Sequence, residues 1–146
     1  MGAAVMGKVL VKARIQNLND LYEVSQGRLQ PDQVRSIEVE DALVDTGATT
    51  LSMPLRLIEQ LGLQKYRSRP VRTASGMAEF NVYGMVLLTV QDRDARVEVT
   101  ELPEGSPVLI GQVPLELLDF VIDPKAQRLI GNPAHGGQQM MEIFSF

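Results

Sequence analysis

Alternation of apolar and polar residues sets the first picture of the chain. Val9, Val11, Ala13 and Ile15 alternate against Leu10, Lys12 and Arg14, the two-residue period of a strand with one buried face. Val34 to Glu40 alternates in the same way, with Ile37 and Val39 on one side. Between these runs, Gln16 to Asp32 is polar, contains Gly27 and Pro31, and predicts a long turn. Asp41 breaks the second pattern ahead of Ala42-Leu43-Val44, a short strand with no polar face. Pro54 then opens Leu55 to Leu61, and Gly62 closes it. Proline at the start and glycine past the end are the punctuation of one short helix, with Leu57, Ile58 and Leu61 on a common face.

Downstream, Val71 to Ala74 predicts a strand and Ser75-Gly76 a turn. Phe80 to Val90 predicts a long strand bent at Gly84, and Asp92-Arg93-Asp94 a turn before Val97, Val99 and Glu101. Val108-Leu109-Ile110 is apolar throughout and ends in Gly111. Pro114 to Leu118 has room for one or two helical turns. Phe120-Val121-Ile122 and Arg128-Leu129-Ile130 flank Asp123-Pro124-Lys125 as a hairpin. Many short strands with turn signals roughly every 8 to 12 residues predict an all-β barrel or sandwich with one or two short helices. There is also an internal echo. Leu43-Val44-Asp45-Thr46-Gly47 precedes Met53-Pro54-Leu55, and Leu109-Ile110-Gly111 precedes Val113-Pro114-Leu115. The end of the chain, Met140 to Phe146, is apolar enough to expect a strand partner, in its own barrel or in another subunit.

Composition narrows the function. At 146 residues one domain, 1–146, is expected, and aromatics at 5% with no tryptophan leave the core to Val, Leu, Ile and Met. The net charge of -4 argues against a nucleic-acid partner. The densest basic stretch, Lys65, Arg67, Arg69 and Arg72, is too thin for a sustained basic face. The absence of cysteine removes disulfides, thiolate ligands and a cysteine nucleophile. No run approaches the roughly 20 apolar residues of a membrane span. Met1 to Met6 lacks a basic region followed by a long apolar stretch, so a soluble, cytoplasmic protein without a signal peptide is expected.

The candidate chemistry lies at Asp45-Thr46-Gly47-Ala48. A strand that ends in an acid, a hydroxyl residue and glycine presents a carboxylate at the tip of a tight turn. Asp-x-Gly is also ordinary turn chemistry, so the tripeptide carries weight only through its surroundings. The chain has a single copy. An acid working in the manner of an aspartic protease would need its partner carboxylate from a second chain.

The chain resembles the retropepsin-like aspartic proteases, single-lobed relatives of pepsin. The resemblance rests on Ala42-Leu43-Val44-Asp45-Thr46-Gly47-Ala48 and on Val108-Leu109-Ile110-Gly111 about 65 residues later, and it extends over roughly Val9 to Ile130. It implies a closed acid-protease β-barrel and a homodimer acting on a polypeptide. Asp45 would be the catalytic acid, with Thr46 bonding across the two-fold axis and Gly47 leaving room for substrate. It further implies substrate contacts from Ala48 and Ile110 and from a flap with its tip at Ser75, Gly76 and Met77. No cofactor or metal is implied. Many viral members pair an acid two positions after the glycine with an arginine after the second segment. Here those positions are Thr49 and Gln112, which favours a cellular type. The rival reading is a catalytically idle fold used for dimerisation or peptide binding. Two further residues are expected to carry no chemistry. His135 lies in a polar loop, and Ser52 lacks the glycines of a nucleophile elbow. Met140 and Met141 are expected as hydrophobic filler.

Overall fold

The computed structural model describes residues 8–141. Strand β1 (Val9–Asn17) runs directly into helix α1 (Leu18–Ser25), where the polar composition predicted a turn. Two features make the helix. Asn17 caps it, its side chain accepting from the Asp20 N–H, and Leu18, Leu21 and Tyr22 share helical spacing. Strand β2 (Ser36–Val44) then pairs antiparallel with β1. Asp41 does not end it. Val11 faces Ala42 and Ala13 faces Val39, so β2 carries one extra residue at Glu40-Asp41. This bulge shifts the inward positions from Ile37 and Val39 to Ala42 and Val44, which is why the alternation is interrupted within one continuous strand.

Strand β3 (Leu51–Pro54) leads into α2 (Leu55–Gln60), with Pro54 as its N-cap and Gly62 beyond its end at φ +64°. Strands β4 (Gln64–Thr73) and β5 (Gly76–Val90) form a long hairpin, and β6 (Arg93–Leu102) pairs with the second half of β5. The bend expected at Gly84 is a second bulge. Tyr83 pairs with Val99 and Val86 with Val97, leaving an extra residue at Gly84-Met85. Strand β7 (Leu109–Ile110) precedes α3 (Gln112–Leu118), and β8 (Phe120–Asp123) with β9 (Arg128–Gly131) makes the expected hairpin, a separate two-stranded sheet.

The large sheet has the order β1-β2-β7-β3-β6-β5-β4, and β1 also pairs with β5. Six strands therefore close into a ring, with β4 outside it on the free edge. This is the expected all-β barrel, now with three α-helices on its periphery. Closure removes the open edges that a curled sheet would expose. The interior is aliphatic: Ile15, Leu51, Met53, Ile58, Leu61, Leu88, Ile110 and Leu118 are fully buried. The first half of β5 projects beyond the ring with β4, so one strand belongs both to the core and to the overhanging hairpin.

Met140 and Met141 are exposed rather than core filler. Most of the apolar chain end, residues 142–146, and the start of the chain, residues 1–7, lie outside the described residues. No helix among the described residues is long and apolar enough to cross a membrane.

Candidate functional site

The ring brings the two apolar segments into contact. Leu43 and Val44 pair in parallel with Leu109 and Ile110, and Ile110 lies opposite Leu51 of β3 on its other side. The internal echo in the sequence thus has a spatial counterpart in two adjacent parallel strands. Pairing continues past the end of β2, where the Asp45 N–H donates to the Ile110 carbonyl at 3.0 Å. The chain then reverses. The Ala48 N–H donates to the Asp45 carbonyl at 3.0 Å, and the Gly47 N–H to Asp45 Oδ1 at 2.9 Å. One carboxylate oxygen is thereby fixed by the main chain, and among the described residues Oδ2 accepts no hydrogen bond. Asp45 is half-buried; Thr46 and Gly47 are exposed.

Three backbone bonds hold the loop after the turn. The N–H groups of Gly111, Gln112 and Val113 donate to the carbonyls of Thr50, Ala48 and Thr49 at 3.0, 2.9 and 2.9 Å. These are amides at the start of α3 that have no partner within the helix. The approach is close enough to exclude a side chain. A Cβ at position 111 would lie 2.6 Å from the Thr50 oxygen and 2.7 Å from the Ala48 oxygen, which explains the glycine. The Thr50 hydroxyl meets those of Ser52 at 3.2 Å and Thr100 at 2.8 Å. Ser52 is buried in this hydroxyl cluster, in keeping with a structural role.

A cleft of about 550 Å³ opens beside this turn. Gly47 and Ala48 form part of its floor, Leu102 and Leu109 supply apolar surface, and Arg69 to Arg72 with Phe80 form the hairpin wall. Asp45 and Thr46 are not among the lining residues; they immediately precede Gly47 in the turn. Ser75, Gly76 and Met77 form the exposed tip of the hairpin, clear of the lining, with the Thr73 hydroxyl donating to the Gly76 carbonyl at 2.8 Å. Ile110, expected to line a side-chain pocket, is fully buried in the core, and its neighbour Leu109 reaches the cleft instead. Successive strand residues point to opposite faces, and an all-apolar two-residue strand gives no sign of which face is inward.

Two charged clusters were not apparent in the sequence. At the root of the hairpin, Tyr66, Arg67 and Arg69 of β4 converge on Glu98 of β6, across β5. Gly84 makes this possible, since a Cβ there would lie 2.8 Å from the Tyr66 ring. Burial pushes the Glu98 carboxyl up, but hydrogen bonds from Tyr66 and Arg69 and the nearby guanidinium charges outweigh it, holding it below the ordinary glutamate value. The basic stretch of the sequence was the visible half of this cluster. Elsewhere, His135 is not a solvated loop residue. Its Nδ1 lies 2.6 Å from Asp119 Oδ2, and Asp119 also accepts from the Asn132 side chain and the Met140 N–H. The His135 hydrogen bond is the main influence that holds the Asp119 carboxyl below the usual range. Among the described residues, no group of three His, Asp or Glu side chains is placed to hold a metal ion.

A closed ring of strands, an acid turn braced by a glycine-ended strand and an overhanging hairpin together define the retropepsin-like class. The family model for "gag-polyprotein putative aspartyl protease" matches residues 33–116, which carry the Asp45 turn, the whole hairpin and Gly111. The chain belongs to that family. A search of the curated proteins found no matching relative.

Proposed function

We propose that the protein is a homodimeric aspartic endopeptidase, the whole chain serving as one domain and Asp45 of each subunit supplying half of a catalytic dyad. The observation that carries this reading is the position of the Asp45 turn: it follows β2 where that strand pairs with the Gly111-ended β7, it runs straight into Gly47 and Ala48 of the cleft lining, and the Gly47 N–H orients Asp45 Oδ1 while Oδ2 has no partner among the described residues. Hydrolysis needs a water made nucleophilic and a carbonyl made electrophilic. Two carboxylates sharing one proton do both, the ionised one accepting from water and the protonated one donating to the carbonyl oxygen. Carboxylates about 3 Å apart resist double ionisation, so the pair loses its protons in two separated steps that belong to the dyad as a whole.

Because the chain has one such turn, the dyad requires a two-fold axis between copies. Thr46, exposed at the turn, bonds across that axis in this reading. Gly47 and Ala48 take the substrate backbone on the floor, and the tip at Ser75, Gly76 and Met77 closes over a polypeptide lying extended in the cleft. Asp45→Asn keeps the size of the side chain and removes the titratable group. Incubated with denatured albumin, this variant should generate no new peptide termini while the wild type does, with both sedimenting as dimers. Cleavage that survives the substitution rules the dyad out.

A further inference from the structure

The cleft wall has a charge that the rest of the molecule does not. The chain carries a net charge of -4, yet no carboxylate lines the cleft, and its two charged lining residues are Arg69 and Arg72. They differ in state. Arg69 is held by Glu98, which lies outside the cleft lining. Arg72 is exposed, and its side chain has no ion-pair or hydrogen-bond partner among the described residues. Its backbone position is also telling. Strand β4 is the outermost strand of the sheet, so its unpaired edge borders the cleft, and four consecutive residues, 69–72, reach the lining from both faces of the strand.

We propose that Arg72 is a specificity-determining residue that selects polypeptide segments bearing an acidic side chain. The inference rests on the endopeptidase reading and adds its substrate class. An extended segment lying along the β4 edge passes within reach of a guanidinium that has no internal carboxylate to release. The net charge of -4 gives an acidic segment no general attraction to the molecule, so the preference is local to this wall. Arg72 is solvated, so the preference has the size of an exposed ion pair, about two- to five-fold in kcat/KM. In a two-fold dimer each subunit contributes one Arg72, and the preference recurs on both sides of the cut.

The test starts from peptides copied from sites that the wild type cuts in denatured albumin. Each is remade with Glu, Gln or Lys at every position around the cut and assayed at pH above about 5, where a peptide glutamate is ionised. The expected result is at least one position at which Glu exceeds Gln two- to five-fold. Arg72→Lys should retain that preference, Arg72→Gln abolish it, and Arg72→Glu turn it toward Lys. Raised salt should shrink it. Equal rates for Glu and Gln at every position, or a preference that persists in Arg72→Gln, overturn the proposal while leaving the endopeptidase standing. If wild type cuts nothing, the endopeptidase reading fails, and the selectivity with it.

Discussion

At the scale of single residues, the acid turn is built from local chemistry and was correspondingly legible. The two bonds that close the turn, from the Gly47 and Ala48 N–H groups to Asp45, span only two and three positions, so the tripeptide and its apolar lead predicted the turn directly. Gly111 is different, since its reason for being glycine lies in carbonyls some sixty residues upstream. Gly111→Ala should lower stability by about 2–3 kcal/mol, because all three atoms it would strike are backbone and have no rotamer to yield. Urea denaturation would register this as a lower midpoint at unchanged slope. Ile110 and His135 mark where sequence reading stopped. The face of a two-residue apolar strand has no periodic signal. The Asp119 that holds His135 is 16 positions away, in the left-handed conformation at the end of α3.

Among the elements, the β8–β9 hairpin agrees most closely with its sequence pattern, whereas the β4–β5 hairpin has longer strands than the pattern predicted, Gln64–Thr73 and Gly76–Val90, and turns at Ala74-Ser75 rather than Ser75-Gly76. Its fastening was hidden, because Glu98 is separated from Tyr66, Arg67 and Arg69 by the whole length of β5. The hairpin overhangs the ring, and this cluster ties its outer strand β4 to β6, while Asn81 and Tyr83 of β5 bond to Glu101. Glu98→Gln removes the charge that three donors share. Backbone amides of β4 should then exchange with solvent faster by about ten-fold, the loss expected from weakening a charge-assisted hydrogen bond. Amides of the β1–β2 pair should be unchanged, and equal acceleration in both places would show that Glu98 supports the barrel rather than the hairpin. Helix α1 was legible in hindsight through its Asn17 cap and the spacing of Leu18, Leu21 and Tyr22. It is short, and the polar residues around it masked the period.

For the whole molecule, ring closure is the feature least accessible from sequence. The β1–β5 pairing joins residues about seventy positions apart, Asn17 with Val86 to Ala13 with Val90, and no local pattern encodes that register. Electrostatics also act at this scale. Asp20 is buried and receives the Arg35 N–H, Nε and Nη2 at 3.0, 2.9 and 2.9 Å, tying α1 to the start of β2. The Arg35 side-chain bonds hold the Asp20 carboxyl below its ordinary value, and Glu98 and Asp119 are lowered as well. A carboxyl lowered in the folded state binds fewer protons there than in the unfolded chain. Its contribution is complete above the unfolded value near 3.8 for Asp20, and is lost as pH falls through the folded one. Stability should therefore hold at about pH 5 and decline steeply below about pH 4. Asp20→Asn should lower stability at neutral pH by about 1–3 kcal/mol and flatten part of that acid decline, both measurable by urea titration across pH. A slope unaltered by the substitution would assign the acid loss to other carboxyls.

The three amides at the head of α3 grip carbonyls, not side chains, along the loop that follows the acid turn. That grip is therefore indifferent to the identity of residues 48 and 49, whereas Thr50 adds hydroxyl bonds to Ser52 and Thr100. Like Thr50, Ala48 and Thr49 both line the cleft. A floor whose shape is written in main chain can change its lining by substitution without being rebuilt, which makes these positions the natural ones to vary in redirecting the protein toward a new ligand.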